Sequence, residues 1–190
     1  ESNFTAPNLC LSPRCTNACR DNSRSGRIAR LAEASNWIGA SQALRDLNPF
    51  SEVAGCLSQS EDFCSISCSK VLCPESSSKI RSLNRYICEK VPNYTPEVET
   101  CNNLNVSIVG AGITGLTCAH YLARLGYKID IYEKDIDSIG ILGWLRDSPM
   151  VTKAVLEREM ANLLLPTIQI HHGKSLGFNI SIEYLKNKYD

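Results

Sequence analysis

From about residue 105 onward the chain alternates between two hydrophobic periods. Val106–Val109 and Lys128–Tyr132 are short β-rich runs, and the segment between them carries glycines and then apolar residues at helical spacing. This predicts a strand, a glycine turn, a helix over about 114–125 and a second strand. Next come an irregular glycine-bearing loop, a helix over about 150–164, a short strand at Ile168–His171 and a last helix near 181–188. Strands alternating with helices in this order predict a parallel α/β arrangement.

The preceding residues follow a different pattern. In SGRIARLAEASNWIGASQALRDL the apolar positions Ile28, Leu31, Ala34, Trp37, Ile38 and Leu44 recur mostly every three or four residues. SSSKIRSLNRYICEKV has a serine start signal and then Ile80, Leu83, Tyr86 and Ile87 on one helical face, which predicts a helix over about 77–90. Between the two patterns lies VPNYTPEVETCNN, polar, without periodicity and with prolines at 92 and 96. The expected organisation is therefore a helical domain over 1–92, a linker over 93–104 and an α/β domain over 105–190.

Charge narrows the function classes. Lys and Arg number 20 against 20 for Asp and Glu, so no net field favours nucleic acid or an anionic membrane. No run approaches the roughly 18 apolar residues of a membrane span. The 10 cysteines are placed unevenly, at 10, 15, 19, 56, 64, 68, 73, 88, 101 and 118, which puts seven of them in the first 73 residues. Beside an intracellular-type nucleotide fold, such spacings point to metal and a reducing compartment rather than to disulfides. The sequons at Asn3 and Asn93 are short enough to arise by chance.

Gly110, Gly112 and Gly115 stand between the first strand and its helix, the context in which GxGxxG has physical meaning. The first glycine permits the tight turn, the second lets backbone approach a pyrophosphate, and the third lets helix and strand pack closely. The helix start offers free N–H groups and a positive dipole end to phosphate. Glu133 ends the second strand, 23 residues after Gly110, with Lys134 beside it; a carboxylate there can accept from ribose hydroxyls. These residues predict a Rossmann-like βαβ unit that binds a dinucleotide. Cys118, on the helix after the loop, is read as a core-packing residue.

Cys10, Cys15 and Cys19 form one compact group and Cys56, Cys64 and Cys68 another, with Cys73 close behind. Thiolates so spaced can converge on one or two metal centres. Iron–sulfur ligation is the first reading, zinc the second, and a set of reduced structural cysteines the third.

The chain resembles the N-terminal part of the glutamate synthase small subunit family and its relatives, which include the N-terminal region of dihydropyrimidine dehydrogenase. The most specific matching elements are VSIVGAGITGLTCAHYLARLGYKIDIYEK and PMVTKAVLEREM. The resemblance implies a helical domain holding two 4Fe–4S clusters, followed by an FAD-binding Rossmann domain. It implies Cys10, Cys15 and Cys68 as ligands of one cluster and Cys19, Cys56 and Cys64 of the other. Each set is one ligand short, and Cys73 and Cys88 are the candidates to complete them. Pro7 stands where the family has its first cysteine, Arg20 replaces a proline, Cys56 fits only with two residues inserted, and Asn84 falls where the family has an acidic or Gln ligand. The family's flavin loop implies that Gly140 and Leu142 lie against the flavin, but SIGILGWLRDSP separates the glycines to 140 and 143.

What the resemblance implies of function is a subunit of a larger NAD(P)H-linked redox assembly, accessory in role, in mitochondrion or cytoplasm. The family's return strand and NADPH domain have no counterpart here, so another chain is expected to complete the Rossmann sheet. A split-gene electron-transferring flavoenzyme and a zinc-bearing interaction module are the alternative readings. No catalytic residue is defensible. His120 is read as packing or surface, His171 and His172 as a solvent-facing strand end without a ligand partner, and LEREM and LKNKYD as solvated helix faces.

Overall fold

The computed structural model describes residues 14–18, 24–57, 66–68, 79–136, 143, 145 and 147–190. The chain divides into two compact units, Glu1–Tyr94 and Thr95–Asp190.

The first unit is helical, with α1 (Arg14–Ala18), α2 (Ser25–Glu33), α3 (Trp37–Arg45), α4 (Ser51–Leu57) and α5 (Ile80–Lys90). The periodic segment forms two short helices, Ser25–Glu33 and Trp37–Arg45. Ser35 adopts φ 57°, and Asn36 starts α3 by accepting a hydrogen bond from Gly39 N at 2.9 Å. Ile28, Ala29 and Ala32 of α2 pack with Ala40, Ala43 and Leu44 of α3 and with Leu83, Ile87 and Cys88 of α5. Ile38 instead points outward at 66% exposure. Tyr86 is also largely exposed, its ring edge against Trp37 with centroids 5.5 Å apart. Arg45 is fully buried; its Nη1 donates to Ser41 Oγ and, at 2.7 Å, to Val91 O. At the end of α4, Arg81 donates from Nε to Gly55 O and from Nη2 to Cys56 O, both at 2.8 Å. It thus satisfies two carbonyls that a helix terminus leaves open.

The second unit contains β1 (Asn105–Val109), α6 (Ile113–Arg124), β2 (Lys128–Tyr132), α7 (Lys153–Leu163), β3 (Ile168–His171) and α8 (Ile182–Lys188). The strands form a parallel sheet in the order β1-β2-β3, with Val109 opposite Tyr132 and Tyr132 opposite His171. The expected α/β alternation is thus observed. Ile129 and Ile131 are buried on one side of β2, and Ala111, Leu116, Ala119, Ala123 and Leu163 are buried in the same unit. His120 is buried, with Nδ1 3.0 Å from Leu163 O, which links α6 to the end of α7. On the alternate positions of β2, Tyr132 packs with Ile180, Leu185 and Tyr189. Thr152 and Ser181 start α7 and α8 by accepting from Val155 N and Tyr184 N.

Part of the expected linker is built into this unit. Glu99 N donates to Arg124 O at 2.8 Å and Asn102 N to Gly126 O at 3.1 Å. Gly126 has φ +85°, and a Cβ there would lie 2.4 Å from Thr100 O. The residues before β1 therefore close over the C-terminal end of α6. Among the described residues, no helix is long and apolar enough to cross a membrane.

Candidate dinucleotide-binding site

The loop joining β1 to α6 shows why each glycine is needed. Gly110 takes φ +97°, a region that side chains disfavour, while its N–H continues the sheet by donating to Tyr132 O at 2.8 Å. A Cβ on Gly115 would lie 2.0 Å from Gly110 O, so helix and loop could not keep their approach. Added Cβ atoms at Gly110 and Gly112 would meet nothing within 4 Å. The loop thus presents open space at the start of α6, where N–H groups lack intrahelical acceptors. No acidic side chain occupies the first turn of that helix to compete with an anion.

Glu133 is brought against this loop. The residue is 5% exposed; its Oε2 accepts from Ala111 N at 2.7 Å and Oε1 from Asp135 N at 3.0 Å. Each oxygen has two lone pairs, so each retains capacity for a further donor, such as a ribose hydroxyl. The backbone of Glu133 is held as well: its N–H donates to His171 O at 2.9 Å and its carbonyl accepts from Lys174 N at 2.8 Å. Lys134 is exposed at the rim. Gly110, Gly112, Gly115 and Glu133 therefore converge, with phosphate-type donors and a ribose-type acceptor at one end of the sheet. Gly140 and Leu142 lie outside the described residues.

The cysteines give a less complete picture. Cys15 is buried beside Ile80, Cys56 is buried in α4, and Cys68 is half-buried. Cys88 belongs to the core of the helical unit. Cys10, Cys19, Cys64 and Cys73 lie outside the described residues. Among the described residues, no three His, Cys, Asp or Glu side chains come together as a metal site. Asn84 has a buried Oδ1 without a hydrogen-bond partner. Cys118 corrects the sequence reading: it is exposed on α6, not packed in the core.

Two other readings also change. His171 is not simply a solvent-facing strand end, because its Nε2 lies 2.8 Å from Asp130 Oδ1. Asp130 was missed because it alternates with Ile129 and Ile131 as an ordinary polar strand position, and its partners arrive from 41 and 59 residues away. In the supposedly solvated LEREM, Glu159 is 1% exposed. Lys188 of LKNKYD donates to Tyr132 OH at 3.3 Å.

Comparison with known proteins agrees with this geometry. Residues 108–163 match the model of the NAD(P)-binding Rossmann-like domain. The chain is 28% identical over 189 residues to the NAD-dependent dihydropyrimidine dehydrogenase subunit PreT of Salmonella typhimurium, covering 95% of this chain and 44% of that protein. It is 26% identical over 162 residues to glutamate synthase [NADH] of Saccharomyces cerevisiae, covering 81% of this chain and 7% of that protein. Against the NADPH-Fe(3+) oxidoreductase subunit beta of Geobacter sulfurreducens the identity is 34% over 95 residues, covering 46% of this chain and 13% of that protein. The chain thus spans less than half the length of these relatives. They bear out the resemblance to the dihydropyrimidine dehydrogenase and glutamate synthase proteins.

Proposed function

We propose that this chain is the iron–sulfur and adenine-dinucleotide portion of an NAD(P)-linked redox assembly, acting as an accessory subunit with other protein chains. The observation that carries the reading is the open loop at Gly110 and Gly112 facing the carboxylate of Glu133. In this reading the backbone at Gly112 and the first turn of α6 hold the pyrophosphate. Glu133 accepts from the adenosine ribose, and Lys134 stands at the rim. FAD is the preferred occupant, with Gly140 and Leu142 along its flavin side. When bound, a flavin supplies the step between two-electron nicotinamide chemistry and one-electron carriers. The residues described here bind and orient; none is assigned a proton transfer.

The iron–sulfur part assigns Cys10, Cys15, Cys19, Cys56, Cys64, Cys68 and Cys73 as ligands of one or two 4Fe–4S clusters. A reducing compartment, mitochondrial or cytoplasmic, goes with it because ligation needs thiolates. The described cysteines do not by themselves assemble a cluster site, so no electron-transfer step is routed through one. Extension of the sheet by a further strand is supported by β1, which pairs only with β2 among the described residues. Such an edge is a template for a further strand.

Visible absorption of the native protein, combined with metal analysis and chromatography of acid-released nucleotide, tests the reading. Flavin and iron with acid-labile sulfide are expected. Zinc with no colour would leave the interaction-module alternative standing. Protein that neither carries nor takes up any adenine dinucleotide would overturn the site assignment.

A further inference from the structure

The positions of β2 that alternate with Ile129 and Ile131 carry an ionisable cluster that the glycine loop does not use. Asp130 is its centre. Oδ1 accepts from His171 Nε2 at 2.8 Å and Oδ2 from the Tyr189 hydroxyl at 2.5 Å. Lys188 Nζ stands 3.7 Å from Oδ2, and the hydroxyls of Tyr132 and Tyr189 are 2.6 Å apart. The His171 ring also stacks on Tyr132, with centroids 4.9 Å apart and planes inclined by 22°. Two side chains of β2 therefore fix His171, one by hydrogen bonding and one by stacking.

The backbone of His171 gives this clamp a further effect. Its carbonyl takes the Glu133 N–H at 2.9 Å, and three residues later Lys174 N returns to Glu133 O at 2.8 Å. The end of β3 thus grips both backbone polar groups of the residue whose carboxylate faces the glycine loop. A group meant to meet two hydroxyls must be held to about half an ångström by its supporting shell. Tyr189 and Lys188 hold the other carboxylate oxygen of Asp130, but they belong to the end of α8 and its following residue and contact Asp130 rather than Glu133.

We propose that Asp130 and His171 are positioning residues of the nucleotide site: by fixing the end of β3 they set where the Glu133 carboxylate stands. This rests on the dinucleotide reading above. It also separates two tasks within one cluster. The His171 side serves Glu133, whereas the Tyr189 side fastens α8.

The test uses the full chain, ADP as the binding probe in calorimetry, and backbone hydrogen exchange without ligand. His171→Phe keeps an aromatic ring over Tyr132 and removes the donor to Asp130. It is expected to weaken ADP binding about tenfold, the effect of losing roughly one supporting hydrogen bond. His171→Gln, which keeps a side-chain N–H, recovers most of the loss. Asp130→Ala behaves as His171→Phe. Tyr189→Phe lowers the melting temperature but leaves ADP affinity unchanged. In His171→Phe the Glu133 and Lys174 amides exchange faster than in the parent chain. The inference is overturned if His171→Phe binds ADP as tightly as the parent with exchange at Glu133 unaltered. It is also overturned if Tyr189→Phe weakens binding as much, because loosened packing would then explain both. If the parent chain itself binds no ADP, the dinucleotide reading fails, and exchange at Glu133 and Lys174 alone decides whether the clamp exists.

Discussion

One methyl group separates glycine from alanine, and at Gly115 there is no room for it. The added Cβ would meet the Gly110 carbonyl oxygen at 2.0 Å, and that atom belongs to backbone rather than to a side chain that could rotate away. Gly115→Ala is accordingly expected to cost about 1–3 kcal/mol, the range for forcing atoms into a packed site. Urea denaturation monitored in the second unit measures it, and an unchanged midpoint would show that loop and helix can part freely. Asp130 makes a second prediction at this scale. Burial pushes its carboxyl up, but hydrogen bonds from Tyr189 and His171, with the charges of His171 and Lys188, outweigh that and hold it below its ordinary 3.8. A depressed carboxyl contributes stability above its unfolded value, and the contribution is lost as pH falls through the lower folded value. Tyr189 is raised instead, by burial first and then by its bond to Asp130, so its share is lost as pH rises above about 10. Melting temperature against pH should therefore fall on both limbs. Asp130→Asn should flatten the acid limb, and an acid limb as steep in that variant as in the parent would remove Asp130 as its cause.

At the scale of elements, helix ends were harder to read than helix faces. The strands at Lys128–Tyr132 and Ile168–His171 fall where the β-rich runs put them, because a period of two is unambiguous over a few residues. The segment from Ser25 to Arg45 implied short helices, but its apolar spacing runs through Ser35 and Asn36 and so does not mark where one ends and the next begins. The break comes from an Asn36 side chain that turns back to Gly39 N, and such a contact competes with the helix without disturbing the apolar pattern. Arg81 was equally silent in sequence, since its two acceptors lie 25 and 26 residues away on α4. Replacing it by methionine keeps the length and removes two charge-assisted bonds. We expect a loss of about 1–3 kcal/mol in the first unit, with Arg81→Lys restoring only part because an ammonium lacks the fork that reaches both carbonyls. Equal stability of the methionine variant and the parent in guanidinium melts would assign α4 its end from elsewhere. The nucleotide loop was legible because its glycines answer a local steric demand. The Asp130 cluster was not, because it exists only after three distant segments meet.

At the scale of the whole molecule, the two units have different sources of order. The first is a helical core of small residues, with Ala29, Ala32, Ala40 and Ala43 letting backbones approach. The second is a three-stranded parallel sheet that carries the candidate site. The matched Rossmann-like segment, residues 108–163, lies wholly inside the second unit. The similarity to PreT runs through both, over 95% of this chain. That similarity therefore relates the helical unit, and not the glycine loop alone, to the same relative.

The strap formed by residues 99–102 sets where this molecule can be divided. Thr100 O rests on Gly126, and neighbouring amides are spent on Arg124 and Gly126. A recombinant Rossmann piece started at the first strand would strip that strap, bare the end of its longest helix and lose a seam of main-chain bonds. Starting the piece at Thr95 keeps the seam closed.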